Sequence, residues 1–278
     1  MILRKVLART VLTCIAFALA ASAAFAQTNS SRSSLACRDQ DNFGDDARAR
    51  HCQVKEQTIQ ATGGTLSVNG MKNGGIAVKG WERNEILVRY RLQTYAPTQA
   101  EADSLAAQIR VTTAGGQVRA EGPENDGAAR WDVGYEIFVP RQANLSLQTH
   151  NGGISLSDVR GQINFEARNG GVALKNMGGN VKGETVNGGL HVELTGNNWE
   201  GEGLDVRTTN GGLSITVPEN YSAHLETGTV NGGLVVSPAI AEVTRKTKQL
   251  SLDLGAGGTN LRIHTTNGGV SIKRRESR

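Results

Sequence analysis

Seven copies of one tripeptide constrain this chain more than anything else in it. Asn-Gly-Gly begins at Asn73, Asn151, Asn169, Asn187, Asn210, Asn231 and Asn267. From Asn151 the spacings are 18, 18, 23, 21 and 36 residues, the last being twice 18. A near-fixed period marks an architecture whose units bury their apolar faces only against one another. Two residues before each of the last six asparagines stands a small residue: Thr149, Ala167, Thr185, Thr208, Thr229 or Thr265. Apolar residues alternate just after the glycines, as in Ile154/Leu156, Val172/Leu174 and Leu213/Ile215/Val217, and just before them, as in Leu145/Leu147 and Ile163/Phe165. Period-two patterning on both sides of a turn predicts strand, corner, strand in every repeat.

Asn-Gly favours backbone with φ > 0, so the corners are expected in the left-handed region, with the second glycine letting another backbone pass closely. Taken singly, such a turn reads as a β-hairpin, and an open sandwich of hairpins is the competing architecture. The period favours a coil, because 18 residues hold two short strands and a second corner. That corner is visible at Asp158-Val159-Arg160-Gly161, Met177-Gly178-Gly179-Asn180, Pro218-Glu219-Asn220 and Gly255-Ala256-Gly257-Gly258. The 23-residue spacing follows from extra residues at one such corner, Gly196 to Gly203, where a stacked repeat tolerates insertion. The expected fold is all-β: a single-stranded β-solenoid over residues 144–278 whose corner asparagines lie above one another as a ladder.

Residues 54–143 read differently, as a β-rich cap around the early corner at Asn73. Thr98-Gln99-Ala100-Glu101 is a capping box opening one short helix at about 98–110, with Ala102, Leu105, Ala106 and Ile109 on one face. Strands are expected on either side of it, the last ending at Pro140. The cap would cover the end of the solenoid, as terminal repeats require.

Residues 1–26 read as a cleavable signal peptide: basic Arg4, Lys5 and Arg9, an apolar Val11–Ala20 stretch, then Ala24-Phe25-Ala26. The leader takes three of the 30 basic residues and none of the 26 acidic ones, leaving a nearly neutral mature chain. The pI of about 9.1 is therefore no argument for nucleic acid. No later stretch is apolar and long enough to read as a membrane span. The polar segment 27–53 holds Cys37 and Cys52, and an oxidising compartment makes a disulfide between them the expected outcome. With His51 alone beside them, the two cysteines form an incomplete zinc shell.

The stretches KNGGIAVKGWERNEILVRYRL and YEIFVPRQANLSLQTHNGGISLSDVRGQINFEARNGGV carry a resemblance. Gly80-Trp81 after the early corner, the strand end Val139-Pro140 and the serial Asn-Gly-Gly corners together resemble the bacterial DUF4097 β-strand-repeat family, an adhesin-like group, from about Cys37 to the C-terminus. The resemblance implies a β-helix-like fold in an exported protein and hands over no catalytic residue.

Several chemistries can be weighed on the residues. Calcium-binding glycine repeats need a carboxylate at a fixed offset, and none recurs here. No phosphate-binding G-x-x-x-x-G-K-[ST], G-x-S-x-G elbow or H-E-x-x-H occurs. The histidines form no ladder, because the position of His150 is taken by Arg168, Val186, Thr209, Val230 and Thr266 in other repeats. Glu166, Glu184, Glu193, Glu202, Asp205 and Glu226 are scattered among outward positions with Lys and Arg. No catalytic site, metal site or cofactor is therefore expected. Trp199, with Asn197 and Asn198, sits in the longest corner insertion. It is either a recognition loop for sugars or, the reading preferred here, a ring folded back over the core. The sequence thus points to a non-enzymatic, exported structural or interaction module of the periplasm or cell surface. Its partner is an envelope protein or glycan, and a carbohydrate-binding or carbohydrate-active β-helix is the alternative.

Overall fold

The computed structural model describes residues 35–37, 48–125, 127–241 and 246–275. The signal-peptide reading of residues 1–26, and much of the segment 27–53, lie outside the described residues. The described residues are nearly all-β, with two ten-stranded sheets facing one another across a shared core. Each Asn-Gly-Gly corner carries the chain from a strand in one sheet (sheet B) to a strand in the other (sheet A), the first longer than the second from Asn151 onward. In the Asn169 coil these strands are Arg160–Asn169 and Val172–Lys175. The coils from Asn151 to Asn210 stack in chain order and in exact register, with Asn169 opposite Asn187 and Asn187 opposite Asn210. Inward positions form apolar rows: Ile154, Val172, Leu190 and Leu213 along sheet A, and Leu145, Ile163, Val181 and Leu204 along sheet B, all at most 2 % exposed. Each fully buried aliphatic chain contributes ~1.5–3 kcal/mol, so the stack of coils supplies what no single coil can. Phe165 fits because its inward neighbour is Gly183, where an added Cβ would lie 2.5 Å from the ring.

The corner asparagines form a continuous ladder, each Nδ2 donating to the Oδ1 of the next rung. Asn151 donates to Asn73 (3.1 Å), Asn169 to Asn151 (2.8 Å), Asn187 to Asn169 (2.8 Å) and Asn210 to Asn187 (2.9 Å). Asn267 donates to Asn210 and Asn231 to Asn267, both at 2.8 Å. Beneath it runs a second ladder. Thr149, Thr185, Thr208, Thr265 and Thr229 donate their hydroxyls to the carbonyl of the first glycine in an adjoining coil, at 2.6–2.8 Å.

Three sequence expectations change here. First, the corner glycines are not left-handed. Positive φ falls at the other corner instead, at Asp158 (60°), Asn176 (50°), Gly161 (144°) and Gly179 (86°). At the Asn-Gly-Gly corner the absence of a side chain matters for stacking. A Cβ on Gly170 or Gly188 would sit 2.1 Å from the preceding coil's glycine carbonyl, and one on Gly211 2.0 Å. It is the first glycine that is squeezed; a Cβ on Gly171 or Gly189 would meet its nearest atom at an ordinary 3.4 Å.

Second, the 36-residue spacing does not continue the stack. The strand Asn260–Asn267 lies between Gly203–Asn210 and Ala223–Asn231, so the last coil is inserted between its two predecessors. The extra length is taken up by Gln249–Leu254, which pairs antiparallel with Ala223–Asn231 and occupies the sheet edge. Third, the Asn73 coil is part of the stack rather than a separate cap. Thr65–Asn69 pairs with Asn144–Thr149, and Ile76–Trp81 with Ile154–Ser157, so both sheets run on across residue 143. Coil order departs from chain order here as well, but in the opposite sense: a later coil, with strands Gln117–Glu121 and Arg130–Pro140, lies further out than an earlier one. Antiparallel strands Glu85–Ala96, Ala49–Gln60 and Arg110–Thr112 then finish that end. Such additions blunt the edges that would otherwise template association. The helix Gln99–Gln108 has its capping box in place, Glu101 N–H donating to Thr98 Oγ1 (3.3 Å) and Thr98 N–H to Glu101 Oε2 (3.1 Å), and buries Ala102, Leu105 and Ala106.

Two substitutions test this account. Gly188→Ala is expected to destabilise by about 2–3 kcal/mol or more, because backbone and not a movable side chain blocks the methyl, whereas Gly189→Ala costs under about 1 kcal/mol. Urea unfolding midpoints of the two variants compare these directly; equal losses would remove the stacking argument. Ala167 interrupts the threonine ladder at Gly152, so Ala167→Thr is expected to stabilise by ~0.5–1 kcal/mol, read as a raised Tm.

Candidate interaction face

The two sheets differ on their outer faces. Alternation along sheet A turns Ala77, Ser155, Ala173, His191 and Ser214 outward in one row, aligned by parallel register. Lys79, Ser157, Lys175, Glu193 and Thr216 form the next row. The first row, with the second glycine of each corner, floors an open groove of about 690 Å³ that crosses the strands. Its floor is low because no large side chain rises from Ala77, Ser155 or Ala173.

One end of the groove is closed by a tethered segment. Leu35 is buried there, and its Cδ2 would lie 3.3 Å from a Cβ on Gly134, so the missing side chain at residue 134 is what seats it. Arg91 donates to the Ala36 carbonyl (3.4 Å). A Cys37–Cys52 bond, with Cα atoms 5.9 Å apart, ties this piece to the strand Ala49–Gln60. Asp132 lines the same end. Burial pushes its carboxyl up to about 6, against the opposing pull of Arg91, Arg130 and Arg50. At the end of the second row Phe138, opposite Lys79, packs on Trp81 with ring centroids 5.4 Å apart; Arg89 (5.8 Å) and Arg83 (4.9 Å) lie over the two rings respectively.

Sheet B offers the opposite character. Several of its outward charges pair across the strands: Arg207 grips Glu184 (2.5 and 2.8 Å), and Arg262 bridges Asp205 (3.4 Å) and Glu226 (3.0 Å). Gln148 donates to Glu166 and Asn180 to Glu202. Of the carboxylates that looked scattered in the sequence, Glu166, Glu184, Glu202, Asp205 and Glu226 therefore lie on this side, each beside a donor, whereas Glu193 stands on sheet A beside Lys175 (3.2 Å).

Trp199, weighed in the sequence as either a recognition loop or a ring folded back over the core, is buried. The ring is 4 % exposed and its Nε1–H donates to the Gly179 carbonyl (3.0 Å), so it closes the core under the long corner and leaves no aromatic platform there. Asn197 and Asn198 are pinned beside it, the Asn197 carbonyl accepting from Ser222 N–H (2.7 Å). Among the described residues no three His, Cys, Asp or Glu side chains cluster as metal ligands, and no helix is long and apolar enough to cross a membrane. What the sequence reading missed was the groove, whose signal was the run of small residues one place past each apolar corner residue.

The family model for Toastrack DUF4097 matches residues 49–273. The chain belongs to this family. Toastrack membership agrees with the two parallel-rich sheets and the corner repeat. Solved structures similar to this Toastrack chain include a protein from Clostridium sporogenes described provisionally as a cell adhesion protein. It is 11 % identical with a TM-score of 0.46, over 81 % of this chain and 100 % of that one. Another, provisionally an adhesin from Parabacteroides merdae, is 9 % identical with a TM-score of 0.33 (81 % and 96 % covered). A third, provisionally a lipid-binding protein from Parabacteroides distasonis, is 8 % identical with a TM-score of 0.25 (81 % and 97 % covered). Likenesses this remote assign no ligand to this Toastrack chain. No curated protein matches it.

Asp132 yields a pH prediction. Its folded pKa is raised above that of the unfolded chain, so the folded state holds its proton longer and stability falls as pH rises from about 4 to about 6. Asp132→Asn is expected to stabilise at pH 7 by up to about 3 kcal/mol and to flatten that slope, measured by urea unfolding at pH 4 and pH 7.

Proposed function

We propose that this protein is an exported interaction module of the cell envelope and that it binds its partner through the outer face of sheet A. The observation that carries this reading is the contrast between the two faces. On sheet B ion pairs run across the outer face, so docking there would break them, whereas the pair Lys175–Glu193 on sheet A lies one row away from the groove floor. On sheet A a low row of Ala and Ser runs beside bare glycine backbone, and covering it costs little desolvation of charge. The rigid stack keeps this surface formed before binding, which lowers the entropy lost on association. The floor repeats at the strand spacing of about 4.8 Å and suits an extended, weakly charged segment of a protein or glycan. The Cys37–Cys52 bond supports an oxidising compartment, and with the signal-peptide reading of residues 1–26 it favours periplasm or cell surface. The groove's part is binding and not turnover. The carbohydrate reading loses its support at Trp199, whose ring is inside.

The test is binding of the labelled exported chain to isolated envelope. Ala173→Arg stands in the middle of the floor and is expected to weaken binding more than ~10-fold, a loss of ~1.4 kcal/mol or more. Lys182→Ala, on the outer face of sheet B, is expected to leave binding unchanged. Ala173→Arg binding as tightly as the unsubstituted chain, with its Tm preserved, would sink the proposal.

A further inference from the structure

A second site stands at the opposite sheet, independent of the groove. The strand Gln249–Leu254 pairs antiparallel with Ala223–Asn231, setting His224 across from Asp253 and Glu226 across from Ser251. Thr229 N–H donates to the Lys248 carbonyl (2.9 Å), which marks that couple as hydrogen-bonded. By alternation, His224–Asp253 and Glu226–Ser251 are non-hydrogen-bonded couples, the kind whose side chains stand closest. The consequence is a continuous chain of contacts. Asp253 Oδ1 lies 2.7 Å from His224 Nδ1, and His224 Nε2 lies 3.1 Å from Ser251 Oγ.

We propose that Ser251, His224 and Asp253 form a nucleophilic triad that hydrolyses small carboxylic esters. A carboxylate only accepts, so Asp253 fixes the proton on Nδ1 and leaves the Nε2 lone pair facing the serine hydroxyl. That is the tautomer a general base needs, with the nucleophile already in hydrogen-bond reach. Pinning the edge strand requires only the His224–Asp253 contact; the hydroxyl on the ring's second nitrogen is what adds chemistry. Glu226 lies 3.7 Å from Nε2, too far to compete, because Arg262 (3.0 Å) and Asn260 (3.2 Å) hold its carboxylate. Gly257, at φ +74°, leaves room for the Asp253 carboxylate, which a Cβ there would crowd at 3.1 Å. The same alternation turns the Ser251 N–H away from Ala223–Asn231 toward the sheet edge, where it donates to the ester carbonyl oxygen as that oxygen becomes the oxyanion on addition of Oγ.

In the acylation step Ser251 Oγ bonds to the ester carbonyl carbon as its proton passes to His224 Nε2. Collapse breaks the bond to the alkoxide, which takes that proton and leaves as the alcohol. Water then adds to the acyl carbon and gives a proton to Nε2; Ser251 Oγ is expelled, recovers the proton, and the acid is released. His224 and Asp253 side chains are 33 % and 65 % exposed, so substrates enter from bulk solvent, which favours a short acyl group on a small or surface-borne ester.

A fluorophosphonate probe on the purified chain, read by peptide mass spectrometry, tests this alongside p-nitrophenyl acetate turnover. Ser251 is expected to label ~100-fold faster than Ser67, an outward serine of the same sheet with no histidine contact. His224→Gln should lower both rates by ~100-fold, and Ser251→Ala should abolish turnover. Asp253, a positioning residue, should cost ~10-fold or more as Asn and regain part of that as Glu. Ser251 labelling no faster than Ser67 in the unsubstituted protein overturns the proposal without any variant. Ester turnover that survives Ser251→Ala overturns it equally.

Discussion

The fold depends on one close approach: the backbone of each Asn-Gly-Gly corner lies directly on the backbone of the next. Carbonyl oxygens sit where a Cβ would be, about 2 Å from its ideal position, and only glycine permits it. That contact sets the stacking distance for everything else. It brings each asparagine amide within reach of the next and each buried threonine hydroxyl under a glycine carbonyl. It also holds the strands at ladder spacing, so the Leu, Ile and Val rows meet without gaps. Because strand register is shared along the stack, insertions are confined to the second corner, where Trp199 plugs the opening that the longest one creates.

A stack of this kind has two ends, and at both the order of coils departs from chain order. At one end a later coil lies inside an earlier one, at the other a later coil lies outside it, and antiparallel strands close both edges. At one end this arrangement carries the tethered Leu35 segment over Gly134 and bounds the groove of sheet A. At the other it lays Gln249–Leu254 beside Ala223–Asn231 and brings His224, Ser251 and Asp253 together. The chemistry-bearing features of the molecule thus sit where the repeat stops, because the repeating coils have their polar groups committed to one another.

Much of the local structure was legible. The capping box at Thr98 and Glu101 and the alternating core residues follow from short-range rules that act on neighbours in sequence, while the asparagine ladder follows from the period of the repeat. Of the two reasons read for the glycines, close approach of another backbone holds but at the first glycine and not the second, and the left-handed φ does not, since either demand leaves the same residue in the sequence. The 36-residue interval was ambiguous for a similar cause: two coils of 18 and one coil plus an edge strand have equal length. The triad was invisible, because 27 and 29 residues separate its serine and aspartate from His224 and no local motif links them.

By itself, then, the sequence determined that this chain is a stack of cornered β-coils with an aliphatic core, because the periods of burial and of glycine are written directly in residue order. Tertiary structure alone decided which coil lies beside which, which outer face is neutralised and which is bare, and which distant polar groups meet. Those outcomes depend on pairing between strands, and strand pairing couples residues by space and register rather than by their separation along the chain.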